Sequence, residues 1–190
     1  MIYQILPEYF DYKSLRLTEN CRIKLHQRRE EARKLGIQPT ASLIYDKLEV
    51  EWYDDPELEF PDISHLSGNL VVNVKTLELI KNILPGAMQI IPCRIDGIEW
   101  FILELPVYNH AVCRASEPNV LALAAHSPDP EAVLEFDSTI QTPALFCISE
   151  PDDRFFCTEQ FKVIIRQNNL TGIKITPDLV TKDYQLAEMA

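Results

Sequence analysis

The chain has 190 residues, 46% hydrophobic and 25% charged, which argues against disorder, a collagen-like repeat or a coiled coil and fits one globular domain over 1–190. Its 18 Lys and Arg against 29 Asp and Glu give a net charge of -11, unsuited to general binding of nucleic acid or an anionic membrane and suited to a basic partner. At this length roughly 70% of the unfolded surface can be buried, so no disulfide or metal staple is required.

Residues 1–18 carry Tyr3, Ile5, Leu6, Tyr9 and Phe10, broken by Pro7, and predict a short strand and a turn. Residues 19–35 predict a helix with Cys21, Leu25, Ala32 and Leu35 on one face and Gly36 just past its end. That helix holds Arg22, Lys24, Arg28, Arg29, Arg33 and Lys34, so residues 1–36 are net +3 and the remainder -14. The acidity is concentrated between Asp46 and Asp62, where eight carboxylates face Lys47 alone and Trp52, Tyr53 and Phe60 are interleaved. Within it, Leu48, Val50 and Trp52 alternate with Glu49 and Glu51, the period of a half-buried strand. Pro56 and Pro61 turn the second half into a loop or an edge.

Asn69–Val74 predicts a strand, followed by a short helix capped by Thr76, with Leu77, Ile80 and Leu84 on its inner face and Pro85-Gly86 at its end. Residues 88–95 and 98–105 predict an antiparallel hairpin, because Asp96-Gly97 supplies the two positive-φ positions of a tight turn. Ser127-Pro128-Asp129-Pro130 reads as a turn, 132–136 as a strand or one helical turn, and 143–149 as a buried strand. Thr158 is expected to cap a helix with Phe161, Ile164 and Ile165 inside; Asn168-Asn169 ends it, and Ile173–Ile175 forms a strand. The sum is an α+β fold: a mainly antiparallel sheet built on the 88–95/98–105 hairpin, with several packed helices.

The five cysteines, Cys21, Cys93, Cys113, Cys147 and Cys157, are odd in number, widely spaced and without a CxxC pair, as expected for free thiols in a reducing compartment. Cys93 and Cys147 lie in apolar runs and are expected in the core. The first residues lack a basic n-region and a cleavage site, and no 18 apolar residues run together; a soluble cytoplasmic protein is expected.

Chemistry-bearing motifs are few. The five glycines form neither a GxGxxG nor a P-loop, and there is no HExxH. His110 and Cys113 have zinc-ligand spacing, with Cys147 and Cys157 as conceivable further ligands, but no second tight pair exists. We therefore expect no metal and no cofactor. Cys113 with His110 or His126 is the one candidate thiolate nucleophile, which keeps a small cysteine-dependent hydrolase or transferase as an alternative class. The acidic stretch lacks the loop glycine of an EF-hand and reads either as a solvated face or as a partner surface. In the second reading Trp52, Tyr53, Asp54, Asp55, Glu57 and Glu59 contribute to it, whereas in the first Trp52 is core. The basic helix is interrupted by Glu30 and Glu31 and lacks aromatics to stack bases.

One resemblance goes further. Pro61-Asp62-Ile63, Gly68-Asn69-Leu70-Val71-Val72, Val74, the Leu77/Ile80/Leu84 helix, Gln89-Ile90-Ile91-Pro92, Gly97 and Trp100-Phe101-Ile102-Leu103 resemble the middle of a bacterial immunity-protein family. It is the family numbered eleven in the polymorphic-toxin immunity series, of myxobacterial type and formerly a domain of unknown function. Phe155–Gly172, with Phe161 and Asn169-Leu170-Thr171-Gly172-Ile173, is similar to its closing motif, so about 60–176 is covered. After the hairpin, 111–117 lacks an Asp that the family often carries before a Ser. The resemblance implies a non-enzymatic protein that binds and neutralises a cognate toxin. An adaptor with no toxin partner is a third class.

Overall fold

The computed structural model describes residues 1–36, 50–53, 57–66, 68–86, 88–108, 111–114, 133–136, 141–148 and 154–179. Asp54, Asp55, His110, His126 and the turn expected at 127–130 lie outside these, as do the side chains of Leu25 and Cys113. The fold is α+β. Strands β1 (Ile2–Pro7), β10 (Leu145–Ile148), β11 (Arg154–Thr158) and β12 (Ile173–Thr176) form an antiparallel sheet in the order β10-β11-β1-β12. A second sheet runs β2 (Leu15–Leu17), β3 (Val50–Trp52), β6 (Gln89–Ile95), β7 (Ile98–Glu104), β5 (Asn69–Asn73), β4 (Ile63–Leu66). Among the described residues of this sheet, β3 meets β6 in parallel at Val50 and Ile95. The edge strands β2 and β4 pack against each other, so this sheet curls back on itself. Strands β8 (Ala111–Arg114) and β9 (Val133–Phe136) make a separate pair.

The expected hairpin is β6–β7, in register from Gln89↔Glu104 to Ile95↔Ile98. Asp96 and Gly97 both have positive φ, 51° and 79°, the handedness that lets a two-residue turn follow the strand twist. Pro92 is tolerated inside β6 because, among the described residues, that strand is paired along its length only on the β7 side.

Alternation sorts side chains between two cores. From β5, Leu70 and Val72 enter the cluster between the sheets, whereas Val71 points into the curl of the six-stranded sheet. Leu103 and Ile102 of β7 divide the same way. The inner cluster of the curl holds Leu15, Leu17, Val50, Trp52, Leu66, Ile95 and Trp100, with Cys21 reaching in from helix α1 (Glu19–Lys34). The cluster between the sheets also receives Ile80 from helix α2 (Val74–Ile80) and Phe161 and Ile165 from helix α3 (Glu159–Gln167). A third cluster, Tyr108, Phe146, Ile148 and Phe156 with Phe136 of β9, covers the other face of the four-stranded sheet.

Several local expectations need correction. Leu35 is 73% exposed rather than on the inner face of α1; the helix ends at Lys34 and Leu35 enters the closing turn. The cap of α2 is Asn73, whose side-chain oxygen accepts the Thr76 N–H at 2.8 Å. Thr76 is itself buried inside the helix, because the i, i+3 spacing suits the stronger capping residue, Asn. Thr158 does occupy the N-cap of α3, but its side chain makes no capping hydrogen bond. The fully buried thiols are Cys21 and Cys157, whereas Cys93 and Cys147 are half-buried.

The sheets are tied together by contacts between distant parts of the chain. The Asp62 carboxylate accepts Asn73 Nδ2 at 2.8 Å, the Thr171 N–H at 3.2 Å and the Thr171 hydroxyl at 3.3 Å. Ile63 N–H donates to the Thr171 carbonyl at 3.0 Å. Lys75 Nζ, 3.9 Å from Asp62 and largely exposed, adds little. Replacing Asp62 by Ala leaves three donors without this acceptor and is expected to cost about 2–3 kcal/mol, read as a lower urea midpoint. Asp62→Asn, which keeps one acceptor, is expected to cost less.

Candidate functional site

The acidic stretch meets the N-terminal segment on one face of the curled sheet. After β1 the chain turns at 9–11, with Tyr12 N–H bonded to the Glu8 carbonyl at 3.1 Å. Tyr12 then bridges to Glu59, and Lys13 N–H donates to the Glu59 carbonyl at 2.8 Å. On the other side β2 pairs with β3, Leu15↔Trp52, Arg16↔Glu51 and Leu17↔Val50, and Tyr53 N–H donates to the Ser14 carbonyl. Residues 12–17 therefore lie between 57–60 and 50–53.

Alternation decides which side chains face out. Leu15, Leu17, Val50 and Trp52 are buried, while Arg16 and Glu51 face solvent as an ion pair at 2.9 Å. Trp52, 9% exposed, packs edge-on against Trp100 at 5.3 Å and under Phe60 at 5.4 Å. It is a core residue that supports the surface ring above it. Tyr53 and Phe60 are 56% and 60% exposed, and Glu57 and Glu59 are exposed. Of the residues expected at a partner surface, Tyr53, Glu57 and Glu59 thus face outward.

The N-terminal segment adds residues that the sequence pattern did not assign to this face. Lys13 Nζ lies 4.7 Å over the Phe60 ring and the Arg16 guanidinium 5.1 Å over Tyr53. Tyr9 and Phe10 are exposed in the adjoining turn. Alternation of Leu15 and Leu17 about Arg16 was the available signal for β2; its pairing with β3 was not legible.

The electrostatic surroundings are acidic. The Tyr12 phenol is raised above its ordinary value by burial and by the carboxylates of Glu8, Glu59, Asp11 and Asp62. Glu8 is raised by burial first and by Asp11 second, against the opposing charge of Lys174. A shallow depression beside this group is lined by Glu8, Tyr9, Tyr12, Ser64 and His65, with the Tyr9 hydroxyl 3.5 Å from His65 Nδ1.

No protein-family model matches the chain, and no curated protein matches it. The segments that carry the resemblance noted above fall largely in the frame: Asp62 and Thr171 in the tie between sheets, Trp100 and Ile102 in the curl, Phe161 in α3.

A separate polar group joins β1 to α3. The Tyr3 hydroxyl donates to Glu159, and Lys162 lies 3.8 Å over the Tyr3 ring and 3.1 Å from Glu159. The Tyr3 hydrogen bond, helped by Lys162, holds the Glu159 carboxyl below its usual value. Among the described residues no three His, Cys, Asp or Glu side chains converge as a metal site, and no helix is long and apolar enough to cross a membrane. Cys113 lies in β8 opposite Leu134.

Burial holds two of the thiols, Cys93 and Cys157, in their neutral form. Burial pushes Cys93 up to about 11 and Cys157 up to about 12. Both are expected to react with Ellman's reagent more slowly than free cysteine at neutral pH. In the folded chain these groups keep their protons to higher pH than in the unfolded chain. Their contribution to stability is therefore complete below about pH 8.5 and is lost as pH rises through about 11 and 12. Urea midpoints measured up the alkaline limb should fall over that window, and less so in a Cys93→Ala, Cys157→Ala variant.

Proposed function

We propose that this chain is an immunity protein, which binds a cognate bacterial toxin and neutralises it by occluding the toxin's active surface. The observation that carries the reading is the outward face formed by 9–16, 51–53 and 57–60, where the exposed rings of Tyr53 and Phe60 stand among carboxylates. Exposed aromatics that can be desolvated are the usual anchors of tight interfaces. A surplus of negative charge speeds encounter with a basic partner and disfavours phosphate-bearing ones. The sequence resemblance over 60–176 supports the same reading, and Asp54 and Asp55, outside the described residues, add two carboxylates to the sequence next to Tyr53. In this account the protein works in the cytoplasm, without cofactor or catalysis, against a protein toxin with a basic surface.

Co-expression is the test. An adjacent gene is expected to encode a product that kills cells expressing it alone and spares them when this protein is also produced. Death despite abundant folded protein would overturn the reading.

A further inference from the structure

We infer that the rings of Tyr53 and Phe60 form a receiving surface for arginine and lysine side chains of a basic protein; that this protein is a toxin rests on the reading above. The rings are more than half exposed, yet each already carries one cation of its own chain, Lys13 on Phe60 and Arg16 on Tyr53. These contacts show that both rings stand where a cation is held against the π-face. Packing backs one ring and strand pairing anchors the backbone of the other. Phe60 rests on Trp52, which rests on Trp100, and Tyr53 is tied to Ser14 through its backbone N–H at 2.8 Å. A ring fixed before binding loses little side-chain entropy when a partner covers it.

Charge selects the occupant. Glu8, Asp11, Glu51, Glu57 and Glu59 lie in the same paired segments as the rings, 8–16, 50–53 and 57–60, against Lys13, Arg16 and, beside Glu8, Lys174. Arg16 is already paired with Glu51. The balance stays negative after the internal cations are counted, so a positive surface is attracted and an acidic one repelled. A second copy of this chain would offer the basic helix α1, where Arg22, Lys24 and Lys34 are exposed; that occupant is a distinguishable outcome of the test.

The probe is a nona-arginine peptide titrated into the full chain, followed by amide NMR shifts and Trp fluorescence. Shifts should concentrate in 9–16 and 51–60, and Tyr53→Ala with Phe60→Ala should weaken binding roughly tenfold. Ile90→Ala with Ile98→Ala, which removes exposed apolar side chains elsewhere, should leave it unchanged. Equal binding by the Tyr53/Phe60 variant, with its melting temperature retained, would overturn the inference, as would shifts scattered over all acidic residues. Self-association abolished by reversing Arg22, Lys24 and Lys34 would assign the surface to a second copy and also overturn it. Co-expression with a lethal product of an adjacent gene separates the two readings. Full protection by the Tyr53/Phe60 variant removes this surface but keeps the immunity reading. Nona-arginine binding at these rings in a chain that protects from no toxin does the reverse.

Discussion

Gly172→Ala is expected to destabilise the protein by about 4 kcal/mol or more, combining backbone strain with overpacking. Gly172 has φ +96°, a conformation that L side chains rarely adopt. An added Cβ would also fall within 3.0 Å of both the Ile63 carbonyl oxygen and the Pro61 Cβ. Neither neighbour can swing away. Pro61 is buried, and Ile63 is held by its N–H bond to Thr171 and by pairing with Val72 across β4–β5. At about 2–4 °C per kcal/mol for a protein of this size, the melting temperature should fall by about 8–16 °C. Gly97→Ala is the control: its φ is +79° but nothing lies within 4 Å, so only the backbone strain of about 1 kcal/mol remains. Similar melting temperatures for the two variants would show that the approach of 172 to 61–63 is not as close as described.

Phe161→Ala is expected to cost about 3–5 kcal/mol, the range for removing a buried aromatic side chain. Phe161 is fully buried one turn into α3 and joins the cluster that holds Tyr3, Ile5 and Phe155 from one sheet and Ile63, Leu70 and Leu103 from the other. Truncation leaves a cavity bordered by both sheets, which cannot collapse without moving one of them. Phe161→Leu retains most of the volume and should cost less than about 1.5 kcal/mol. Urea unfolding monitored by circular dichroism compares the two. Equal midpoints for Phe161→Ala and the parent would place this side chain outside the core.

Local rules reached far into this fold. Asp96-Gly97 announces the β6–β7 hairpin because only a few residue types accept positive φ at consecutive positions, and Val50-Glu51-Trp52 announces a half-buried strand because side chains alternate across a sheet. Pairings between distant segments leave no comparable trace. Strand β1 pairs with β11 and β12, more than 150 residues later, and the Asp62–Thr171 contact spans 109 positions. Reading Thr76 as a cap failed because Asn73, three residues earlier, starts the helix and accepts the Thr76 N–H. Cys93 and Cys147 share a strand face with buried Ile95 and Leu145 yet are only half-buried themselves, which the apolar run does not reveal. For the surface, the aromatic and acidic character of 46–62 was legible. That Trp52 lies beneath Phe60 and that 9–16 completes the face required the β2–β3 pairing.

The frame and the surface have separate chemistry. Asp62, Thr171, Gly172 and Phe161, which carry the resemblance, tie sheets and helices together, whereas Lys13, Arg16, Tyr53 and Phe60 face solvent or half-face it. A toxin-neutralising chain would be able to change the second set without disturbing the first. One titration decides whether this chain neutralises a toxin: calorimetry of the purified protein with any product of an adjacent gene that kills cells when expressed alone. Saturable binding with a Kd of about 1 μM or tighter is expected, weakened as salt is raised and weakened further by Tyr53→Ala with Phe60→Ala. Two folded proteins that release no heat and do not co-migrate at any salt concentration would contradict it.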